Sequence, residues 1–121
     1  MSVFANIPVE ERIYSGEYFF LIKDKFPVSE GHILIISKEQ KDDYFSLNSD
    51  EKNELITLID IAKGIIESQL KPDGYNIGMN CGVAAGQTIM HFHCHVIPRY
   101  NGDMDNPRGG IRHCIAGKGF Y

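Results

Sequence analysis

This 121-residue chain predicts an α+β domain with a mainly antiparallel sheet and one long helix, on three observations. Short β-branched and aromatic runs lie on both sides of a single long stretch of helical periodicity. Their spacing lacks the regular strand–helix–strand alternation of a doubly wound nucleotide-binding fold. The last run, His91-Phe92-His93-Cys94-His95-Val96-Ile97-Pro98-Arg99, alternates histidine with apolar residues, the period of a strand.

In chain order, Tyr18-Phe19-Phe20-Leu21-Ile22 reads as the first strand. The turn-rich Asp24–Gly31 segment then leads to a β-branched second strand, His32–Ser37, so the two form a hairpin with a long connection. Asn48 and Glu51 have the spacing of a capping box. Leu55, Ile59, Ala62, Ile66 and Leu70 follow at helical spacing, joined by Leu58, Ile61 and Ile65. Lys71-Pro72-Asp73-Gly74 ends that helix, whose broad apolar face needs a sheet, and a second subunit, to cover it. Tyr75–Asn80 is a third strand and Met90–Pro98 a fourth. Between them, the small and flexible Gly82–Thr88 loop is of a kind that lets backbone N–H groups approach an anion closely.

Composition fits one domain spanning 1–121, with 43% hydrophobic and 23% charged residues. The net charge of −4 argues against binding the nucleic-acid backbone. That charge is uneven: residues 99–121 form a basic C-terminal tail of net +2, against −6 for residues 1–98. No secretory signal or membrane-length apolar run is present, so the chain reads as cytoplasmic. Cys81, Cys94 and Cys114 are odd in number and lack a close CxxC pair, which suits buried or half-buried thiols rather than disulfides or a zinc tetrathiolate.

On a strand, His91, His93 and His95 share one face about 6.6 Å apart, with Phe92, Cys94 and Val96 on the other. Imidazole can be nucleophile, acid/base or metal ligand near neutral pH. Two chemistries follow: His93 attacks an electrophile with neighbouring rings stabilising charge, or the histidines ligate a metal. No Asp or Glu occurs between residues 74 and 102, which weakens the metal reading and suits a substrate that brings the negative charge. Phosphoryl or nucleotidyl transfer needs little beyond positioning and charge stabilisation. A neutral imidazole is a competent nucleophile when its other nitrogen donates to a fixed acceptor. His95 then donates to the phosphate or bridging oxygen, and Gln87 and Thr88 supply neutral donors.

The His-Phe-His-Cys-His-Val-Ile run resembles the His-x-His-x-His-x-x signature of the histidine triad family of nucleotide hydrolases and transferases. Gly86-Gln87-Thr88 resembles that family's Gly-Gln-Ser/Thr, and the Phe26–Ile36 segment is similar to its Pro…Gly-His-x-Leu segment. The likeness covers residues 18–99. It implies an antiparallel sheet with one long helix and a shorter one, commonly in a homodimer whose sheets join across the interface. It also implies that His93 is the nucleophile at the α-phosphorus, with His95 and Gln87 on the phosphate and leaving-group bridge and His91 and His32 ordering the others. Asn80 and Thr88 match phosphate-side contacts, Asp24 a ribose-hydroxyl acceptor, and Phe4, Ile7 and Ile22 an apolar base pocket. No cofactor or resident metal is required, although the substrate can arrive as a magnesium complex.

Pro98-Arg99 after the triad is similar to the dinucleoside polyphosphate hydrolase branch, of the fragile histidine triad type, rather than the phosphoramidase branch with its glycines there. Gln40 stands where many phosphoramidase-type members carry a further histidine, and the tail's Arg108 and Arg112 are candidates to reach distal phosphates. The leading expectation is therefore a small-molecule nucleotide hydrolase that makes a covalent nucleotidyl-histidine. The alternatives are a nucleoside phosphoramidase of the same family, a non-catalytic nucleotide-binding protein, and a metal-dependent enzyme of a different class.

Overall fold

A computed structural model describes residues 2–121. Five strands form one sheet: β1 (Tyr14–Ser15), β2 (Phe19–Lys23), β3 (Ile33–Ser37), β4 (Gly74–Gly78) and β5 (His93–Arg99). The spatial order is β1-β2-β3-β5-β4, and every neighbouring pair is antiparallel. The single α-helix among the described residues, α1 (Ser49–Glu67), crosses between β3 and β4 in sequence. In place of a second, shorter α-helix the chain makes 3-10 turns, at Val3–Asn6, Val9–Glu11, Tyr44–Ser46, Val83–Ala85 and Gly110–Cys114. No helix is long and apolar enough to cross a membrane, among the described residues.

The β2–β3 hairpin forms as expected, with Leu21 opposite Ile35 and Ile22 opposite Leu34. Both strands are apolar at consecutive positions because both faces of the sheet are covered. Phe19, Leu21, Ile33 and Ile35, with Phe92, Cys94 and Val96, pack under Leu55, Leu58, Ala62 and Ile66 of α1. Phe20, Ile22, Leu34 and Ile36 point the other way and meet Phe4 of the N-terminal turn, with Ile7 and Ile89 beside them. Burial pushes the Cys94 thiol up to about 12, so this cysteine is an inert core residue.

Asn48 accepts from the Glu51 N–H while Glu51 Oε1 accepts from the Asn48 N–H, the reciprocal cap read from the sequence. The helix stops earlier than Lys71. The Ser68 hydroxyl donates to the Ile65 carbonyl at 2.6 Å, and Pro72 follows, which biases Lys71 away from helical geometry. β1 has only two residues, too few for any alternation to register in sequence. β5 starts at His93 and not at Met90: the Phe92 carbonyl still accepts from the Ser37 N–H of β3, but the Phe92 N–H turns away from the sheet to the Lys41 carbonyl.

Candidate active site

Strand alternation carries His93 and His95 onto the face opposite α1. In the ladder His93 stands beside Ile36, and His95 lies between Leu34 and Gly78. His91 precedes the strand, so two of the three triad histidines are strand residues and the third is a buried anchor, 1% exposed. Its Nε2–H donates to the Ser37 carbonyl at 2.7 Å, which leaves Nδ1 to accept from the Ser2 hydroxyl at 2.6 Å. That bond ties the N-terminal turn to the sheet and sets the Phe4 ring edge-on to His93, centroids 5.0 Å apart. Burial holds the His91 pKa below its ordinary value.

A main-chain acceptor likewise decides the tautomer of His93. Its Nδ1 lies 2.9 Å from the His91 carbonyl, which can only accept, so the neutral ring carries its proton on Nδ1 and its lone pair on Nε2. For Nε2 there is no hydrogen-bond partner among the described residues.

The tautomers of His32 and His95 follow in sequence. The Val28 N–H donates to His32 Nδ1 at 3.1 Å, so the proton of neutral His32 is on Nε2. That Nε2–H is 2.9 Å from His95 Nδ1, which must accept, leaving His95 with its single proton on Nε2. Asp24 Oδ2 stands 3.4 Å from the same His32 nitrogen, while its Oδ1 accepts from Phe26 N–H. Burial, then the neighbouring His93 and His32, push His95 down to about 4 against the smaller opposing pull of Asp24. Burial also lowers His32, again with Asp24 opposing. At neutral pH His95 is thus a neutral ring that donates one hydrogen bond through Nε2.

The ligand atoms of Asp24, His32 and His95 lie within 4.8 Å of one another, the one such group found among the described residues. To ligate a cation His32 Nε2 would have to lose its proton to Nδ1, where the Val28 N–H already points. Two donors cannot share that position, so the trio fits a hydrogen-bonded chain better than a metal centre.

Beside His93 and His95 opens a cavity of about 400 Å³, lined by Phe4, Ile7, Ile22, Leu34 and Ile89, with Asp24 at its rim. The apolar slot expected of Phe4, Ile7 and Ile22 is therefore a real space next to the imidazoles, and Leu34 and Ile89 complete it. A second cavity, of about 580 Å³, meets the other flank of His95 and includes Asn80.

Gln87 departs from its expected place at the phosphate. It is 4% exposed, and both Nε2 protons are used, on the carbonyls of Asp42 (2.6 Å) and Ile89 (3.1 Å). Its Oε1 accepts from the Gly82 N–H, so the carboxamide organises the 82–88 loop instead of facing the reacting rings. The loop's backbone is also turned inward: the N–H groups of Ala85, Gly86 and Gln87 bond to carbonyls at Gly82 and Val83, which removes the expected anion cradle at those positions. Thr88 is exposed between Gln87 and Ile89.

The basic tail is likewise already engaged. Arg99 forks onto Asp103 at 2.8 Å and donates to Asn76 Oδ1 at 2.6 Å, while Arg108 and Arg112 both lie over the Tyr121 ring. None of these arginines lines either cavity flanking His95; of the tail, Gly110 and Ile111 line the larger one alone. Sequence reasoning missed Ile111, and it also missed the Val28 N–H and the Ser37 carbonyl, main-chain groups that leave no mark in residue identity. Leu34 was accessible from strand alternation alone.

The HIT domain model matches residues 8–102. Over 110 residues, 87% of this chain and 78% of the relative, the sequence is 32% identical to an uncharacterised HIT-like protein of Saccharolobus solfataricus. It is 31% identical over 102 residues to an asymmetrical bis(5'-nucleosyl)-tetraphosphatase of Schizosaccharomyces pombe, covering 84% of this chain and 56% of that enzyme. Of several other curated relatives the chain spans between 47% and 63% of the length. A zinc-bound histidine triad family protein from Mycobacterium smegmatis superposes with a TM-score of 0.71 at 39% identity, over 84% of this chain and 73% of that one.

Proposed function

Because this chain belongs to the histidine triad (HIT) family, we propose that it hydrolyses a dinucleoside polyphosphate at the α-phosphorus through a nucleotide covalently held on His93. The observation that carries the reading is the pairing of an unprotonated His93 Nε2 with a His95 Nε2–H beside one apolar cavity. The yeast relative's name, a bis(5'-nucleosyl)-tetraphosphatase, supports the substrate class.

In the first step the His93 Nε2 lone pair forms a bond to the α-phosphorus while the bond from phosphorus to the bridging oxygen breaks. The electron pair of that bond leaves with the oxygen, and the His95 Nε2–H donates a hydrogen bond to the developing charge. In the second step a water oxygen bonds to the same phosphorus and releases a proton to solvent, while the N–P bond breaks with its electron pair returning to Nε2, so the nucleoside monophosphate leaves with His93 restored. The base occupies the cavity under Phe4, Asp24 accepts from a ribose hydroxyl, and Asn80 and Thr88 contact the phosphate. Gln87 serves by holding the loop that presents Thr88.

A neutral His95 favours this substrate over a phosphoramidate. A phosphate oxygen, whose second pKa is about 6, departs as an anion and needs only a hydrogen bond. An amine must take up a whole proton as it leaves, and the neutral His95 ring, held down to about 4, could give up its one Nε2 proton only by becoming an imidazolate. We further place the enzyme in the cytoplasm as a homodimer without a resident cofactor, its substrate carrying any magnesium.

Quenched incubation with a labelled dinucleoside polyphosphate, and separately with a nucleoside phosphoramidate, followed by mass spectrometry of the intact protein, tests the reading. A nucleotide adduct in the wild type, absent from His93→Ala along with turnover, is expected. Full turnover by His93→Ala refutes it. Thermal stabilisation by nucleotide without product over hours marks a binding protein instead, and inactivation by a chelator marks a metal enzyme.

A further inference from the structure

We infer that Phe26 is the outer jaw of the nucleobase site, stacking on the open face of a base held in the cavity beside His93, so that the protein selects bases by the area of their ring face; this rests on the hydrolase reading above. The cavity of about 400 Å³ has an inner wall and an outer rim of opposite character. Phe4, Ile22 and Leu34 form the wall, all three buried and packed together as one apolar cluster. Val3 and Phe26 form the rim and are 65% and 89% exposed. An aromatic ring that exposed adds almost nothing to the core, and it gains apolar contact when the cavity beside it is filled.

The backbone places the ring at that rim. Asp24 Oδ1 accepts from the Phe26 N–H at 2.9 Å, so the carboxylate proposed for the ribose also fixes the residue two positions on. Pro27 follows, which biases Phe26 toward extended geometry. The Lys25 ammonium lies 3.3 Å from Glu11, linking this loop to the Val9–Glu11 turn, just past the segment that carries Val3, Phe4 and Ile7. The Phe26 ring already lines the cavity, so closing on a base takes side-chain rotation alone, which is fast beside a loop movement.

Side chains of this lining read a base by its face and not by its edge. Asp24 is given to the ribose, and the imidazoles of His93 and His95 to the phosphorus. Lys25 is the remaining polar side chain of the lining, and Glu11 holds its ammonium. Val3, Ile7 and Ile89 carry no side-chain donor or acceptor. Adenine and guanine differ at the ring edge and therefore bind alike, whereas a purine gains more from Phe26 than a pyrimidine because its face is larger.

The chain holds no tryptophan, so Phe26→Trp introduces a single fluorophore at the rim. Saturating adenosine monophosphate, of the product class of the proposed reaction, should quench its emission, and ribose 5-phosphate, which lacks the base, should leave it unchanged. Calorimetry then compares affinities in the wild type and Phe26→Ala. Loss of stacking predicts about tenfold weaker binding of adenosine and guanosine monophosphates, a smaller loss for uridine monophosphate and none for ribose 5-phosphate. Phe26→Tyr restores the affinity, and with a dinucleoside polyphosphate Phe26→Ala raises KM while kcat is kept. Unchanged emission with nucleotide bound, or equal nucleotide affinities in wild type and Phe26→Ala, overturns the jaw, while adduct formation on His93 leaves the hydrolase reading intact. An equal loss for ribose 5-phosphate, or a changed sedimentation mass of the variant, also overturns it and assigns Phe26 to the shape of the loop or to a subunit contact. Absence of adduct in the wild type refutes the hydrolase reading itself, and the emission and the affinities still decide the jaw.

Discussion

Lowering the pH from 7 to 5 withdraws stability through His95 in particular. In the folded protein the ring is pushed down to about 4, from an ordinary 6.5. Its surroundings accept no second proton, because Nδ1 already receives the His32 Nε2–H. The unfolded chain therefore binds a proton below pH 6.5 that the folded chain refuses, and stability falls as the pH falls until the folded ring also titrates near 4. At about 1.4 kcal/mol for each tenfold difference in proton affinity, the ceiling is about 3 kcal/mol, of which about 2 kcal/mol is lost between pH 7 and pH 5. Urea unfolding at fixed protein concentration, at both pH values, measures it in the wild type and in His95→Asn. The buried His91 ring, lowered in the same direction and not bonded to His95, contributes to wild type and variant alike and cancels, and the Asn side-chain oxygen is chosen to accept the His32 Nε2–H in place of the lost ring. The wild type should lose about 2 kcal/mol more than the variant. Equal losses would show that the His32–His95 bond does not exclude a proton, and the tautomer argument would fall with it.

Two further outcomes test the supporting frame. Gln87→Ala removes three partly buried hydrogen bonds and is expected to cost about 2 kcal/mol in denaturant unfolding, with faster amide exchange over 80–90. Unchanged stability with a fall in kcat would return Gln87 to the phosphate. Gly31→Ala places a β-carbon at φ +95°, 2.7 Å from a Leu70 methyl and 3.3 Å from Pro98, next to His32. A loss of about 1–3 kcal/mol should appear in the same assay, and a neutral result would mean that the turn into β3 can adopt another backbone.

Side-chain period made the sheet's division of labour legible. Phe92, Cys94 and Val96 entered the core with α1, and His93 and His95 faced away, because a strand offers no other arrangement. The Asn48–Glu51 cap was readable for the same reason, since two residues three apart complete it. His91 did not join the strand, because the Phe92 N–H beside it is taken by the carbonyl of Lys41, far away in sequence. Gln87 was misplaced on similar grounds: its residue type fits a phosphate contact, but an unforeseen approach of Asp42 took its amide. The tautomers of His32 and His93 hang on backbone groups of Val28 and His91, to which residue identity is blind.

The packing of Phe4 above the sheet has a consequence for evolution. Since Phe20, Leu34 and Ile36 need an apolar cover, the first turn of the chain cannot be lost without wetting them, and the Ser2–His91 bond secures it. On the proposed reading, a planar aromatic guest slipping beneath Phe4 would act as the side chain that this second interior lacks. Selection for a well-filled interior and selection for ligand affinity then act on the same few residues, so drift toward tighter self-packing would close the door on the guest.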